Sequence, residues 1–190
     1  MPMYAHYNIP AMGLAGFPPL VDDTARILIL GSFPSSASLK CGMYYGNLRN
    51  HFWNILSRIL KVAVPTSIDE KQALLKEAHL ALWDLVGTCE RTGSLDQNII
   101  KPVLHDIAGF VEAHPAIERI LLNGTLATEL FYRRIVQHKG PIPPIGSIWI
   151  WEGPQKRTIS VYRLPSTSPV PTKHFKRLED KLPLWEGALQ

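Results

Sequence analysis

Two carboxamides and two hydroxyl-rich turns carry most of the chemistry this sequence offers. Asn50 opens the segment Asn50 to Lys61, and Asn123 closes the apolar run Ile117-Glu-Arg-Ile-Leu-Leu-Asn123. A neutral amide donates and accepts hydrogen bonds but cannot serve as a general base near neutral pH. Its chemistry is therefore positioning, of a water, of a ligand's polar edge or of its own backbone. By position alone, Asn50 suits a cap on the helix carrying Phe52 and Trp53, and Asn123 beside Gly124 suits a turn. The hydroxyls lie in Gly31-Ser-Phe-Pro-Ser-Ser-Ala-Ser-Leu39 and in Leu164-Pro-Ser-Thr-Ser-Pro169. Ser166, Thr167 and Ser168, stiffened by flanking prolines, fit an ordinary capped turn or donors to phosphate. Lys173, His174, Lys176 and Arg177 follow at once and suit either phosphate charge or a solvated basic face.

Other chemistries lack their residues. Only Cys41 and Cys89 are present, far apart, so there is no disulfide framework, no paired-cysteine zinc pattern and no four-thiolate cluster. The seven histidines include no His-Glu-x-x-His pair. Gly31-Ser-Phe-Pro-Ser does not spell the Gly-x-Ser-x-Gly elbow of a serine hydrolase. No metal, iron–sulfur cluster or other cofactor is expected.

The elements that must position these residues follow from the hydrophobic pattern. Four apolar runs, Arg26 to Gly31, His79 to Leu85, Ile117 to Asn123 and Thr158 to Leu164, read as strands covered on both faces. Helical patterns separate them: Asn50 to Lys61, Ser67 to Ala78, Val103 to Ala113 and Thr125 to Gln137, with Lys173 to Leu182 as a weaker closing helix. Ser67 three residues before Glu70 has the spacing of a capping box. Strands alternating with helices predict a three-layer α/β/α sandwich around a short, mainly parallel, four-stranded sheet. Residues 1–23, rich in Pro, Gly and Ala, read as an irregular arm, and 24–190 as a single domain. His138 to Gly146 is a loop, broken by its prolines and glycines. In such sheets ligands sit beyond the carboxyl ends of the strands, which points to the segments after Leu30, Leu85, Leu122 and Leu164.

Composition is consistent with that picture. The 190 residues are 46% hydrophobic and 19% charged, enough for a packed core. A net charge of +4 is compatible with a polyanionic partner without requiring one. No apolar run reaches the roughly 20 residues of a membrane helix. The first twenty residues lack a basic region ahead of an apolar core, so a soluble, cytoplasmic monomer is expected.

In combination, Gly31-Ser-Phe-Pro-Ser, Tyr44-Tyr-Gly-Asn-Leu-Arg-Asn-His-Phe-Trp53 and Leu164-Pro-Ser-Thr-Ser-Pro169 resemble the signature motifs of the uracil-DNA glycosylase superfamily. They are similar in particular to its hypoxanthine-DNA glycosylase branch, and Cys89 to Ile99 and Leu122 to Ala127 extend the likeness. The blocks follow the ends of the four strands in order, and the resemblance covers roughly Gly16 to Trp185. The resemblance implies an enzyme that flips a deaminated base out of DNA and cuts its glycosidic bond with water. It implies that Asn50 positions the attacking water. Asp96 is the nearest carboxylate able to orient water or Asn50, with an Asx turn that stabilises its loop as the plainer role. The resemblance places Asn123 at the base edge, where one carboxamide satisfies both N1–H and O6 of hypoxanthine, and equally N3–H and O4 of uracil, leaving pocket width to separate the two. Gly31, Phe33, Tyr44 and Tyr45 become candidate pocket residues, the two tyrosines suiting either the pocket or packing under their loop. Ser35, Arg49, Ser166, Thr167, Ser168 and Lys173 become candidate DNA contacts, with Val170 a candidate wedge in the duplex.

One departure from the better-known branches stands out. Where they carry a catalytic Asp or Asn in the first motif, this chain has Phe33, which cannot activate water and could stack on the flipped base or belong to the core. The expected reaction is release of hypoxanthine from deoxyinosine without strand cleavage. The rival readings are a mismatch uracil glycosylase and a non-catalytic DNA- or nucleotide-binding domain.

Overall fold

The computed structural model describes residues 13–190. In chain order the strands and helices are β1 (Leu14–Ala15), β2 (Ile27–Gly31), α1 (Ser36–Cys41), α2 (Phe52–Leu60), α3 (Ile68–Glu77), β3 (Leu80–Asp84), β4 (Val86–Glu90), β5 (Ile100–Leu104), α4 (Ile107–Ala113), β6 (Arg119–Asn123), α5 (Thr125–Leu130), β7 (Ile148–Glu152), β8 (Thr158–Leu164) and α6 (Leu178–Leu189). The central sheet runs β3-β2-β6-β8-β7. Its first four strands are parallel and are the four apolar runs read from the sequence.

Alternation along these strands sorts the core into two layers. Leu28, Leu30, Ala81, Ile120, Leu122, Ile159 and Val161 face α4 and α5. Ile27, Ile29, Leu80, Leu82, Leu121 and Leu164 face α2, α3 and α6. Side chains as fully enclosed as Leu28 and Leu30 contribute about 1.5–3 kcal/mol each relative to exposure. The α/β/α sandwich follows from strands that are apolar on both faces.

The sheet has five strands, not four. β7 (Ile-Trp-Ile-Trp-Glu) pairs antiparallel with β8 at the edge. Its burial alternates, but its residue types do not, because Ile148 and Ile150 face outward at 59% exposure. β5 occupies part of the span expected as helix, so α4 begins only at Ile107, where Asp106 caps Gly109 N–H at 2.9 Å. α5 ends at Leu130 and passes into a π-helical turn, Phe131–Ile135. The closing helix begins at Leu178 rather than Lys173, because Asp180 accepts the backbone N–H of Lys176 and Arg177 at its start. The Ser67–Glu70 capping box forms as the spacing predicted.

The N-terminal arm is less irregular than its composition implies. β1 joins β4 and β5 in a second, antiparallel sheet, and Leu20 exchanges both backbone hydrogen bonds with Leu82 at 2.9 Å. Residues 1–12 of the expected arm lie outside the described residues. Among the described residues no helix is long and apolar enough to cross a membrane.

Candidate active site

A cavity of about 580 Å³ opens where the parallel strands end, lined by Gly31 of β2, Asp84 of β3, Asn123 of β6 and Ser166 beyond β8. That volume falls within the usual range for a small-molecule site and exceeds what one flipped base needs.

Asn50 lines this cavity and also performs the capping role its position suggested. Its Oδ1 accepts Phe52 N–H at 3.0 Å, the first turn of α2. A carbonyl oxygen has two acceptor sites, so capping leaves one, and the NH₂ bonds no other protein group among the described residues.

Asn123 is more fully committed. Its Nδ2 donates to Tyr45 Oη (3.1 Å) and Thr167 Oγ1 (3.0 Å), and its Oδ1 accepts Thr167 N–H (2.9 Å). Both donors are used, so a bidentate reading of a base edge would require breaking one of these bonds. In this arrangement Asn123 joins the end of β6 to the Ser166–Ser168 loop. Thr167 is 1% exposed and also accepts His51 N–H through its carbonyl, which removes its side chain from duplex contact. Ser166 and Ser168 accept within the loop, from Ser168 N–H and Val170 N–H, and retain their hydroxyl protons.

The two tyrosines diverge. Tyr45 lines the cavity and stacks on Phe52 with ring centroids 3.8 Å apart. Tyr44 is 3% exposed and donates to Pro18 and Phe17 carbonyls, pinning the arm, so it is not a pocket residue. A positive φ of 53° at Tyr45 separates their directions. Phe33 both lines the cavity and packs on Val86 and Cys89, with the Arg91 guanidinium over its ring at 4.8 Å. Ser35 lines the cavity and caps α1 through Ser38 N–H. Val170 lies on the cavity wall at 53% exposure. Arg49 and Lys173 are exposed but outside that wall. Asp96 lines the cavity, yet its partner is Ser32 Oγ at 2.7 Å rather than Asn50.

Comparison with known proteins decides the family at this point. Residues 18–188 match the model of the uracil DNA glycosylase superfamily. The chain belongs to that superfamily. A protein of Methanosarcina acetivorans named hypoxanthine DNA glycosylase is 36% identical over 115 residues, 60% of this chain and 73% of the relative. One of the same name from Methanosarcina barkeri is 30% identical over 126 residues, 66% of this chain and 78% of the relative. A solution NMR structure from Methanosarcina acetivorans, named as a provisional uracil DNA glycosylase, has a TM-score of 0.70 and 27% identity, covering 94% of this chain and 97% of that one.

Two titratable groups outside the named motifs stand here, one on the wall of this uracil DNA glycosylase superfamily pocket and one behind its Ser168 loop. Asp84 is 4% exposed, lines the cavity, and has an Oδ2 with no hydrogen-bond partner among the described residues. Burial, reinforced by the charge of Asp96 and opposed by Arg91, raises its pKa to about 7. Asp96 is also raised by burial, but Ser32 and Arg91 favour its charged form. The signal was available as a carboxylate at the carboxyl end of an otherwise apolar parallel strand. Lys181 of α6 is 1% exposed. Its Nζ donates to the Ser168 carbonyl at 2.8 Å and lies 3.2 Å from His51 Nδ1, tying the loop after β8 to the start of α2.

Gly31 is required by close approach. A Cβ there would collide with Asp84 Oδ1 and stand 3.4 Å from Tyr45 Oη. Gly31→Ala is expected to destabilise the fold by about 1–3 kcal/mol, as overpacking does. Chemical unfolding checks this, and wild-type stability would mean that the Asp84 carboxyl has room to turn aside.

Proposed function

We propose that this protein is a monofunctional DNA glycosylase that hydrolyses the N-glycosidic bond of deoxyinosine in DNA. It releases hypoxanthine and leaves an abasic site. The observation that carries this reading is the strand-end cavity with Asn50 on its wall, in a chain resembling two proteins named hypoxanthine DNA glycosylase.

The bond to be cut is inaccessible in a duplex, so the nucleotide must first leave the stack. Asn50 then holds a water beneath the sugar with the Oδ1 lone pair that capping leaves unused. Positioning is the whole of its contribution, because an amide does not take the proton. Phe33 and Tyr45 supply apolar walls for the base. Ser166 and Ser168 donate to the flanking phosphates, with Arg49 and Lys173 adding charge at longer range. Val170 is the proposed wedge. Leu48, 97% exposed two residues before Asn50, is a second apolar group free to enter the gap. Among the residues lining the cavity there is no lysine, which supports hydrolysis without an imine intermediate and hence without strand cleavage. The protein acts as a monomer in the cytoplasm, on DNA that contains a deaminated base.

The test uses duplexes carrying a single inosine, uracil or xanthine, followed by alkali to reveal abasic sites. Breaks at inosine that appear only after alkali are expected. Breaks at uracil alone would replace the hypoxanthine assignment, and no breaks at any base would identify a non-catalytic binding domain.

A further inference from the structure

Asp84 has no role in the mechanism given above, yet its surroundings are unusual for a carboxyl group. It ends β3 on the cavity wall, it is almost completely enclosed, and its Oδ2 has no hydrogen-bond partner among the described residues. The absent side chain of Gly31 is what gives the carboxyl its place. The titratable and charged groups around it come from every neighbouring element. Asp96 and Arg91 lie in and beside the loop after β4, Tyr44 and Tyr45 lie ahead of α2, and His105 bonds the Asp84 backbone carbonyl through Nδ1. Burial keeps both tyrosines protonated well above neutral pH.

We propose that Asp84, in its neutral form, donates its O–H to the carbonyl oxygen of the departing base and accepts from the adjacent ring N–H. This rests on the glycosylase reading. A carboxylic acid and a lactam edge are complementary, since each offers one donor and one acceptor. As the C1′–N9 bond breaks, its electron pair goes to the base, and negative charge collects on the carbonyl oxygen. Water oxygen bonds to C1′ and loses a proton to solvent, and the base anion takes up a proton from solvent. Asp84 keeps its proton throughout and strengthens its hydrogen bond as charge develops. A carboxylate in the same place would repel the leaving group. The charge of Asp96 helps hold the proton on Asp84, and the Ser32 hydrogen bond favours the charged form of Asp96 against its burial. Free protein at low pH is therefore the active form, with the change centred at about 7.

The experiment is single-turnover release of hypoxanthine from a deoxyinosine duplex between pH 6 and 9, with enzyme in excess of DNA but below saturation so that the free protein's titration is read. The wild type is expected to lose about tenfold per pH unit above its midpoint, roughly 100-fold over the range. Asp84→Asn keeps a neutral donor and acceptor, so its rate should be flat with pH and within about tenfold of the wild type at pH 6. Asp84→Leu should lose about 100-fold at pH 6. The proposal is overturned if Asp84→Asn keeps the wild-type alkaline limb, is folded but inactive throughout, or if Asp84→Leu matches the wild type. Should a variant fail to fold, calorimetry of wild-type protein with free hypoxanthine in buffers of different ionisation enthalpy decides. Uptake of close to one proton on binding at pH 8.5 and almost none at pH 5.5 is expected, and equal uptake at both overturns the proposal. A wild type that releases no base at any pH fails the glycosylase reading itself and takes this inference with it.

Discussion

Asn50→Ser is expected to lower hypoxanthine release by about 10²–10³-fold, comparable to the loss of one preorganised polar group from an active site. It is expected to leave the melting transition nearly unchanged. The two outcomes separate because Asn50 has two jobs. Its Oδ1 caps α2 through Phe52 N–H at 3.0 Å, and the same side chain lines the cavity. Serine caps a helix about as well as asparagine, so the helix keeps its terminus while the amide that holds water is gone. Asn50→Ala removes both, and should add about 1 kcal/mol of destabilisation to the same kinetic loss. Single-turnover rates and thermal melts on the two variants make the check. Wild-type turnover in Asn50→Ser would reduce Asn50 to a cap and remove the water from this mechanism. Loss of the cooperative melt in that variant would show that the rate loss comes from an unfolded α2.

What could be read in the sequence was whatever depends on pattern along the chain. The parallel strands were visible because each is an apolar run, and strand ends then located the cavity without any side-chain geometry. Asn50 could be placed at a helix start for the same reason. β7 was hidden because an edge strand buried on one face normally alternates in residue type, and Ile-Trp-Ile-Trp does not. Direction was harder still. Tyr44 and Tyr45 are adjacent and identical, and only the backbone turn at Tyr45 sends one ring under the arm and the other to the cavity. Asn123 stands at the expected strand end, but the partners that occupy its amide come from Tyr45 and Thr167, 78 and 44 residues away. No local signal reports such partners. Lys181 is the extreme case, a charged residue that reads as solvent-facing on a helix and is in fact enclosed beneath the Ser168 loop. Asp84 differs from these, since a carboxylate closing an otherwise apolar strand is visible in the sequence, although it belongs to none of the named motifs.

The stability of the fold should also register Asp84, independently of turnover. Its carboxyl titrates at about 7 in the folded protein and near its ordinary 3.8 in the unfolded chain. Between those values the folded state holds a proton that the unfolded state has lost, so stability falls as pH rises from about 4 to about 7 and then levels off. The carboxyl's contribution is therefore fully present below 3.8 and lost as pH passes through the folded value. A difference of that size corresponds to on the order of 4 kcal/mol. Asp84→Asn does not titrate. Whatever constant offset the amide brings, the variant's stability relative to wild type should climb by a few kcal/mol between pH 4 and 7 and then stay level, roughly 10 °C in melting temperature. Asp96 titrates in the same environment, so the climb should spread over more than one pH unit on either side of its midpoint. Urea unfolding of both proteins at pH 4, 5.5, 7 and 8.5 measures it directly. Parallel curves at all four values would mean that Asp84 is ionised in the fold. The enclosed carboxyl would then have a compensating partner, and the cavity would present an anion to the base instead of a proton donor.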